Sequence, residues 1–138
     1  MIPRFHIAFP VHDIELCKIF YTKIIGCSLG RESDRWVDFN LFGHQVVAHL
    51  SPDDCSVPKT NYVDDDDIPS RHFGVILTKE KWEKLRKKIH NSGVQFLIKP
   101  KIRFKDHNGE QFTFFIQDPS GNILEFKSFK NKDAIFNK

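Results

Sequence analysis

The feature that most constrains the fold is a series of strand and helix signals that occurs twice. A short apolar strand, an amphipathic helix closed by glycine and several further short strands appear in residues 4–50 and again in residues 71–128. The order in each half is therefore β-α-β-β-β. Repetition of one supersecondary unit is the most economical explanation. We therefore expect an α+β fold built of two βαβββ modules.

The helix signal of the first module covers residues 14–25. Its apolar residues recur at spacings of three and four and predict the buried face, which comprises Leu16, Ile19, Phe20, Ile24 and Ile25. Asp13 is a suitable N-cap, and Gly26 stands where a left-handed residue commonly ends a helix. In the second module, Thr78 and Gly93 bracket a predicted helix in the same way.

The predicted strands flank these helices. In the first module they cover residues 4–11, 28–31, 35–41 and 45–50. In the second module the candidates are residues 71–77, 94–98, 101–104, 112–117 and 122–126, one more than the βαβββ order contains. Residues 51–70 contain three prolines and four successive aspartates, and we interpret them as an acidic, solvated linker. Residues 129–138 form a tail in which one helical turn is expected to dock Ile135 and Phe136.

Composition narrows the classes of function. The net charge is only +3 and the basic residues are spread along the chain, which argues against nucleic-acid binding. No window approaches the roughly 18 apolar residues that a membrane span needs, and no signal-peptide pattern precedes the first strand. The three cysteines lack CxxC spacing, which is typical of reduced thiols. We therefore expect a cytoplasmic protein without nucleic-acid or membrane partners.

Four ionisable residues occupy matching places in the two halves. His6 and His72 lie in the first strand of each module, and His49 and Glu125 lie in the last. A carboxylate between apolar strand neighbours is costly to bury unless it is paired, hydrogen-bonded or bound to a metal. Imidazole and carboxylate suit Fe(II), Mn(II), Ni(II), Zn(II) or Co(II). If the two sheets curl around a shared cleft, the four side chains form a candidate metal site. The alternatives are ordinary core histidines and a solvent-facing glutamate.

Three further residues are candidates for substrate contact. Arg103 stands in the strand before a predicted hairpin and could clamp a substrate carboxylate. Trp36 and Phe115 could line the cleft. For each residue an ordinary alternative stays open, because surface arginines are usually solvated and strand aromatics usually belong to the core.

Three segments carry a resemblance to a known family: FHIAFPVHDIELCKIFYTKIIGC, RHFGVIL and DPSGNILEF. Over roughly residues 5–127 the chain resembles the vicinal oxygen chelate superfamily, which includes glyoxalase I, extradiol dioxygenases, fosfomycin-resistance enzymes, methylmalonyl-CoA epimerase and bleomycin-resistance proteins. The resemblance implies an open, barrel-like mixed sheet around a central cleft that holds one divalent metal. His6, His72 and Glu125 match the ligand positions of the family.

The fourth position departs from glyoxalase I, which has a glutamate where this chain has His49. Two histidines and one carboxylate look more like the extradiol dioxygenases or the fosfomycin-modifying transferases. The stretch RWVDFNLFGHQVVAHL is also similar to small, single-domain proteins described as predicted extradiol-type dioxygenases. The resemblance therefore favours Fe(II), with Mn, Ni, Zn or Co as alternatives.

The leading hypothesis is an extradiol-dioxygenase-like oxidoreductase acting on a small substrate with adjacent oxygens. His49 would be its acid–base group or a fourth ligand, and a fourth ligand would leave only two open positions on an octahedral ion. That geometry suits the first alternative, a glyoxalase- or epimerase-like lyase or isomerase. The second alternative is a metal-free binding protein of the bleomycin-resistance type. The resemblance also implies a homodimer, with a site within one chain or across the subunit interface.

Overall fold

The computed structural model describes residues 1–138 and divides into two units. The first unit comprises residues 1–57 and 118–122, and the second comprises residues 58–117 and 123–138. No helix in the structure has both the length and the apolar character needed to cross a membrane.

The first unit is a four-stranded sheet with one helix. Its elements are β1 (His6–Val11), α1 (Ile14–Ile19), a π-helical continuation (Phe20–Ile25), β2 (Ser28–Glu32), β3 (Trp36–Leu41), β4 (His44–Leu50) and a 3-10 turn (Pro52–Asp54). The strand order is β1-β4-β3-β2, with β1 parallel to β4 and the other pairs antiparallel. The βαβββ prediction for this half is confirmed.

The predicted helix ends are also confirmed. The Asp13 carboxylate accepts a hydrogen bond from the Leu16 backbone N–H at 2.9 Å. Gly26 adopts the left-handed conformation, with φ of 98°. The predicted buried face is partly wrong, because Leu16 and Ile19 are exposed. Tyr21 sets the rotation of the helix instead.

Tyr21 is fully buried between two aromatic rings of the sheet. Its ring stacks on Phe9 and Phe39, with centroid distances of 5.4 and 5.0 Å. This stacking turns Cys17 inward, where it is 1% exposed. The side of the sheet that faces the helix is therefore the core of the first unit.

The second unit contains a hairpin, a long helix and a three-stranded sheet. Its elements are β5 (Thr60–Val63), β6 (Asp66–Pro69), α2 (Lys79–Ser92), β7 (Ile98–Arg103), β8 (Gln111–Gln117), β9 (Ile123–Phe129) and a 3-10 turn (Lys132–Phe136). The sheet has the order β7-β8-β9, all antiparallel. In place of the two strands predicted at 94–98 and 101–104 there is one strand, β7, and residues 94–97 lie outside it. Its register is irregular between Ile98 and Lys101.

Residues 71–77, predicted as a strand, run parallel to β9. Four backbone hydrogen bonds connect them: Phe73 N to Ile123 O at 3.2 Å, Glu125 N to Phe73 O at 2.9 Å, Lys127 N to Val75 O at 3.3 Å, and Leu77 N to Lys127 O at 2.8 Å. This segment completes the second βαβββ arrangement, although only two isolated bridges form, at Phe73 and Ile76.

Helix α2 covers one face of the second sheet. The Trp82 indole N–H donates to the Phe126 carbonyl at 2.9 Å, and its ring packs against Phe114 at 5.5 Å. Since alternate strand residues point to opposite faces, Thr113, Phe115 and Glu125 lie on the face turned away from the helix. This second face carries the candidate site.

Two segments differ from the sequence-based expectation. The stretch interpreted as an acidic linker contains the β5–β6 hairpin, whose turn places Asp64 and Asp65 at positive φ. In the tail, Ala134 is buried, but Phe136 is 94% exposed and does not dock. The alternation of a short strand is hard to detect among consecutive aspartates.

Candidate functional site

His72 and Glu125 lie beside each other in the second unit. Glu125 is on β9 and only 7% exposed, whereas the His72 side chain is 30% exposed. The His72 Nε2 and Glu125 Oε2 atoms are 4.0 Å apart, which is too long for a hydrogen bond. The sequence therefore identified two side chains that the fold brings together.

The ring of His72 is held in one orientation by two contacts. Its Nδ1 lies 2.8 Å from the Pro69 carbonyl oxygen, and its ring meets Phe115 edge-on at 5.1 Å. A carbonyl oxygen can only accept, so Nδ1 carries the proton of the neutral ring. Nε2 is then the unprotonated nitrogen nearest Glu125. This is the arrangement that metal-binding histidines commonly show.

The carboxylate of Glu125 is incompletely satisfied. Lys127 Nζ lies 2.9 Å from Oε1, yet Oε1 is buried and has no hydrogen bond of acceptable angle. We therefore regard the contact as an ion pair with poor directionality. Burial, together with the neighbouring Arg103, lowers the pKa of Lys127. A buried carboxylate with such an oxygen has capacity for a further cation.

The His72–Glu125 separation is slightly wider than a divalent ion requires. Two neighbouring ligand atoms that each bond an ion at about 2.1 Å are about 3.0–3.4 Å apart in octahedral or tetrahedral geometry, whereas the two atoms here are 4.0 Å apart. Binding would therefore draw the two side chains together by roughly 0.6–1 Å. No group of three or more His, Cys, Asp or Glu side chains is arranged to hold a metal ion in the structure. The second unit thus offers two ligands.

His6 lies on the open face of the first sheet. It lines a cavity of about 440 Å³ together with Asp38, Gln45, Arg31 and His44. His6 is exposed and stands directly opposite Gln45 in the parallel pairing of β1 with β4. His44 accepts a hydrogen bond from the Phe5 backbone N–H through Nδ1 at 3.0 Å.

His49 is on the same face as His6 but farther along the sheet. It lies four residues beyond Gln45 on β4, a distance of about 13 Å along the strand. His49 is opposite Trp36 and does not line the cavity of His6. The structure therefore does not bring His6 and His49 together.

Strand register also identifies the true counterpart of Glu125. In the second unit, the residue after His72 pairs with Leu124, and in the first unit the residue after His6 pairs with Val46. The position equivalent to Glu125 is consequently Val47. The apparent match with His49 came from counting along the sequence, where differing loop lengths conceal the register.

Arg103 already binds carboxylates in this structure. Its side chain is 8% exposed, with Nη2 at 2.8 Å from Asp66 and Nη1 at 3.4 Å from Asp64. Lys101 Nζ also lies 2.7 Å from Asp66, and these two cations, Lys101 foremost, lower the pKa of Asp66. Asp64 and Asp66 are two residues apart, as are Lys101 and Arg103. This matching i, i+2 spacing, which places side chains on one face of a strand, was the sequence signal that could have revealed the contact.

Phe115 and Trp36, the other two residues predicted to contact the substrate, pack against side chains of the protein itself. Phe115 is fully buried opposite Glu125, where it supports the ring of His72. Trp36 is half-buried and its ring lies under the guanidinium of Arg31 at 5.8 Å.

Asp118 lies in the segment of residues 118–122, which belongs to the first unit. Its Oδ1 accepts from the backbone N–H groups of Ser120 and Asn122, and its Oδ2 accepts from the Tyr21 hydroxyl at 2.9 Å. Burial raises the pKa of Asp118, although these hydrogen bonds oppose the shift. Burial and the nearby carboxylate also raise the pKa of Tyr21 well above its ordinary range. This network is structural.

The family model of the Glyoxalase/Bleomycin resistance protein/Dioxygenase superfamily matches residues 5–126. A glyoxalase/bleomycin resistance protein/dioxygenase from Alicyclobacillus acidocaldarius is similar at a TM-score of 0.84 and 32% identity, covering 97% of this chain and 96% of that chain. No functionally curated protein matches the chain at a significant level.

Two more distant structures share the fold. A genomically encoded fosfomycin resistance protein from Listeria monocytogenes has a TM-score of 0.68 at 15% identity, covering 97% of this chain and 98% of that one. A glyoxalase/dioxygenase from Nostoc punctiforme has a TM-score of 0.67 at 16% identity, covering 91% and 90%.

Proposed function

The chain belongs to the glyoxalase/bleomycin resistance protein/dioxygenase superfamily, and from this premise we propose that it is a metal-dependent enzyme acting on a small molecule with two adjacent oxygens. The observation that carries the proposal is the His72–Glu125 pair. The Nε2 atom of His72, whose Nδ1 is engaged by the Pro69 carbonyl, lies 4.0 Å from a buried carboxylate that lacks a complete set of partners. Members of the superfamily commonly bind a divalent metal.

His72 and Glu125 would supply two ligands, and the resemblance to the family names His6 as the third. Two histidines and one carboxylate are typical of non-haem Fe(II) sites, so Fe(II) is the favoured ion, with Mn, Ni, Zn and Co as alternatives. The bound ion would act as a Lewis acid that polarises the two substrate oxygens. Pro69 and Phe115 would hold the His72 ring ready for binding, which reduces the ordering cost.

Among the reactions of the superfamily, we favour extradiol-dioxygenase-like chemistry. Three protein ligands would leave room on the ion for a chelating substrate and O₂. The register that separates His49 from His6 argues against His49 as a fourth ligand. O₂ uptake with catechol-type substrates tests this choice. Solvent-proton exchange into an α-hydroxy-ketone without O₂ uptake would favour the lyase or isomerase alternative.

Metal binding is tested by loading the protein anaerobically with Fe(II) or Zn(II) and measuring metal per chain and affinity. We expect one ion per site in wild type, and affinity at least tenfold lower in His72→Ala, Glu125→Ala and His6→Ala. His49→Ala is the matched control and should retain wild-type affinity. Unchanged affinity in His72→Ala and Glu125→Ala would contradict the assignment. If wild type binds no metal, the remaining hypothesis is a metal-free binding protein of the bleomycin-resistance type.

A homodimer is part of the proposal, because dimers are frequent in the superfamily. Sedimentation velocity across a dilution series, with metal content measured at each concentration, tests whether the ion depends on the second copy. Loss of metal on dissociation would indicate an intersubunit site, and constant metal content a site within one chain.

A further inference from the structure

A cavity of about 590 Å³ opens within the second unit beside Lys127. Its wall includes Phe104, Gln111, Lys127, Phe129, Ile135 and Lys138. Lys127 and Glu125 are two residues apart on the same face of β9, about 7 Å along the strand. The cavity is therefore next to the proposed metal site.

The polar groups of this wall have the character of an anion site. Two lysines and no Asp or Glu line the cavity. The Lys127 side chain is 36% exposed, and its ammonium reaches back to Glu125 Oε1 at 2.9 Å. The ammonium has three donors, so one can stay on Glu125 while another donates to an anion in the cavity. A metal ion on Glu125 would weaken the first contact and strengthen the second.

Two buried polar atoms without hydrogen-bond partners also point to a ligand site here. Gln111 is 7% exposed, lines the cavity, and its Oε1 is buried without a hydrogen-bond partner. Thr113, directly opposite Lys127 in the sheet, is fully buried and its hydroxyl is also unpartnered. Buried polar atoms are normally satisfied, so neighbouring exceptions call for an explanation such as a ligand.

The remaining wall is apolar and aromatic. Phe104 is 47% exposed and has a φ of 53°, in the left-handed region that a bulky residue rarely adopts. Phe129 follows Lys127 on the same face of β9. Such strained, exposed residues tend to cluster at ligand sites. The two rings suit a flat, apolar body.

We propose that this cavity binds the far end of the substrate, and that the substrate is an aromatic carboxylate. Its carboxylate accepts hydrogen bonds from Lys127, its ring lies along Phe104 and Phe129, and a hydroxyl or N–H group donates to Gln111 Oε1. This assignment rests on the proposed function for the placement of the chelating oxygens, but the carboxylate pocket itself does not require a metal.

Two probes that differ only in the carboxylate test the proposal. Calorimetry measures the affinity of the anaerobic, Zn(II)-loaded protein for catechol and for 3,4-dihydroxybenzoate. The ratio of the two affinities is the preference for the carboxylate. A charge-assisted hydrogen bond predicts a preference of about 10- to 100-fold in wild type. In Lys127→Gln we expect the preference to fall to about threefold or less with metal content unchanged. Lys130→Gln is the control, since Lys130 is 67% exposed and outside the cavity.

A second arm separates this inference from the metal assignment. Benzoate is titrated into metal-free wild type, Lys127→Gln and Phe104→Ala, and we expect binding to wild type that both substitutions weaken. An equal preference for the two catechols in wild type, or a preference that survives Lys127→Gln, would overturn the pocket while leaving the metal site intact. If no metal binds, the proposed function fails, and benzoate binding alone decides whether the pocket stands.

Discussion

Gly74→Ala tests the close approach of residues 71–77 to the strand that carries Glu125. A Cβ atom at Gly74 would lie 1.6 Å from the Glu125 carbonyl oxygen and 2.7 Å from its carbonyl carbon. Ordinary contact begins at 3.4 Å. The two backbones must therefore separate by nearly 2 Å, and the cause is steric, since the φ of Gly74 is not positive.

The expected loss of unfolding free energy in Gly74→Ala follows from the hydrogen bonds on either side of Gly74. Separation breaks Glu125 N to Phe73 O at 2.9 Å and Lys127 N to Val75 O at 3.3 Å. A buried backbone group left unsatisfied costs about 1–3 kcal/mol, so two broken bonds predict a loss of about 2–6 kcal/mol in unfolding free energy. Metal affinity should fall as well, because Glu125 moves.

Urea denaturation at pH 7 measures this loss, with Gly109→Ala as the matched control. No atom lies within 4 Å of a Cβ built at Gly109, so that substitution should be neutral or stabilise by up to about 1 kcal/mol. If Gly74→Ala is within about 0.5 kcal/mol of Gly109→Ala, the reasoning about this contact is refuted.

Two further predictions concern hydrogen bonds and charge. Tyr21→Phe removes the hydrogen-bond donor to buried Asp118 and should lower the unfolding free energy, measured in urea, by about 1.5–3 kcal/mol. The control is Tyr62→Phe, at a residue that is 69% exposed, and it should lower the unfolding free energy by about 0.5 kcal/mol or less. Equal effects of the two substitutions would contradict the account. Pairing with Lys101 lowers the pKa of Asp66, so Asp66→Asn should destabilise at neutral pH, and its difference from wild type should shrink as pH falls below about 4. A difference in unfolding free energy that does not vary with pH would contradict the ion-pair explanation.

Local signals in the sequence predicted the elements and their ends well. Asp13 and Thr78 cap helices as expected, and Gly26 and Gly93 adopt the left-handed conformation that ends them. These features depend on a few neighbouring residues, so a single sequence contains the necessary information. The pairing of His72 with Glu125 was also predictable, because a carboxylate within an apolar strand requires a partner.

Features that depend on register were not predictable. Counting along the chain matched His49 with Glu125, but strand pairing places Val47 at the equivalent position. The hairpin that pairs Asp66 with Arg103 was hidden in an aspartate run that looks solvated. Register is set by contacts between residues far apart in sequence, which spacing alone cannot show.

X-ray absorption spectroscopy of the metal-loaded protein tests the central claim most directly, because outer-shell scattering counts the imidazoles bound to the ion. Wild type and His49→Ala should show the same number of histidine ligands, and His72→Ala, loaded with excess metal, should show one fewer. A ligand count that does not change in His72→Ala, or that falls in His49→Ala, would contradict the assignment of the metal to His72 and Glu125.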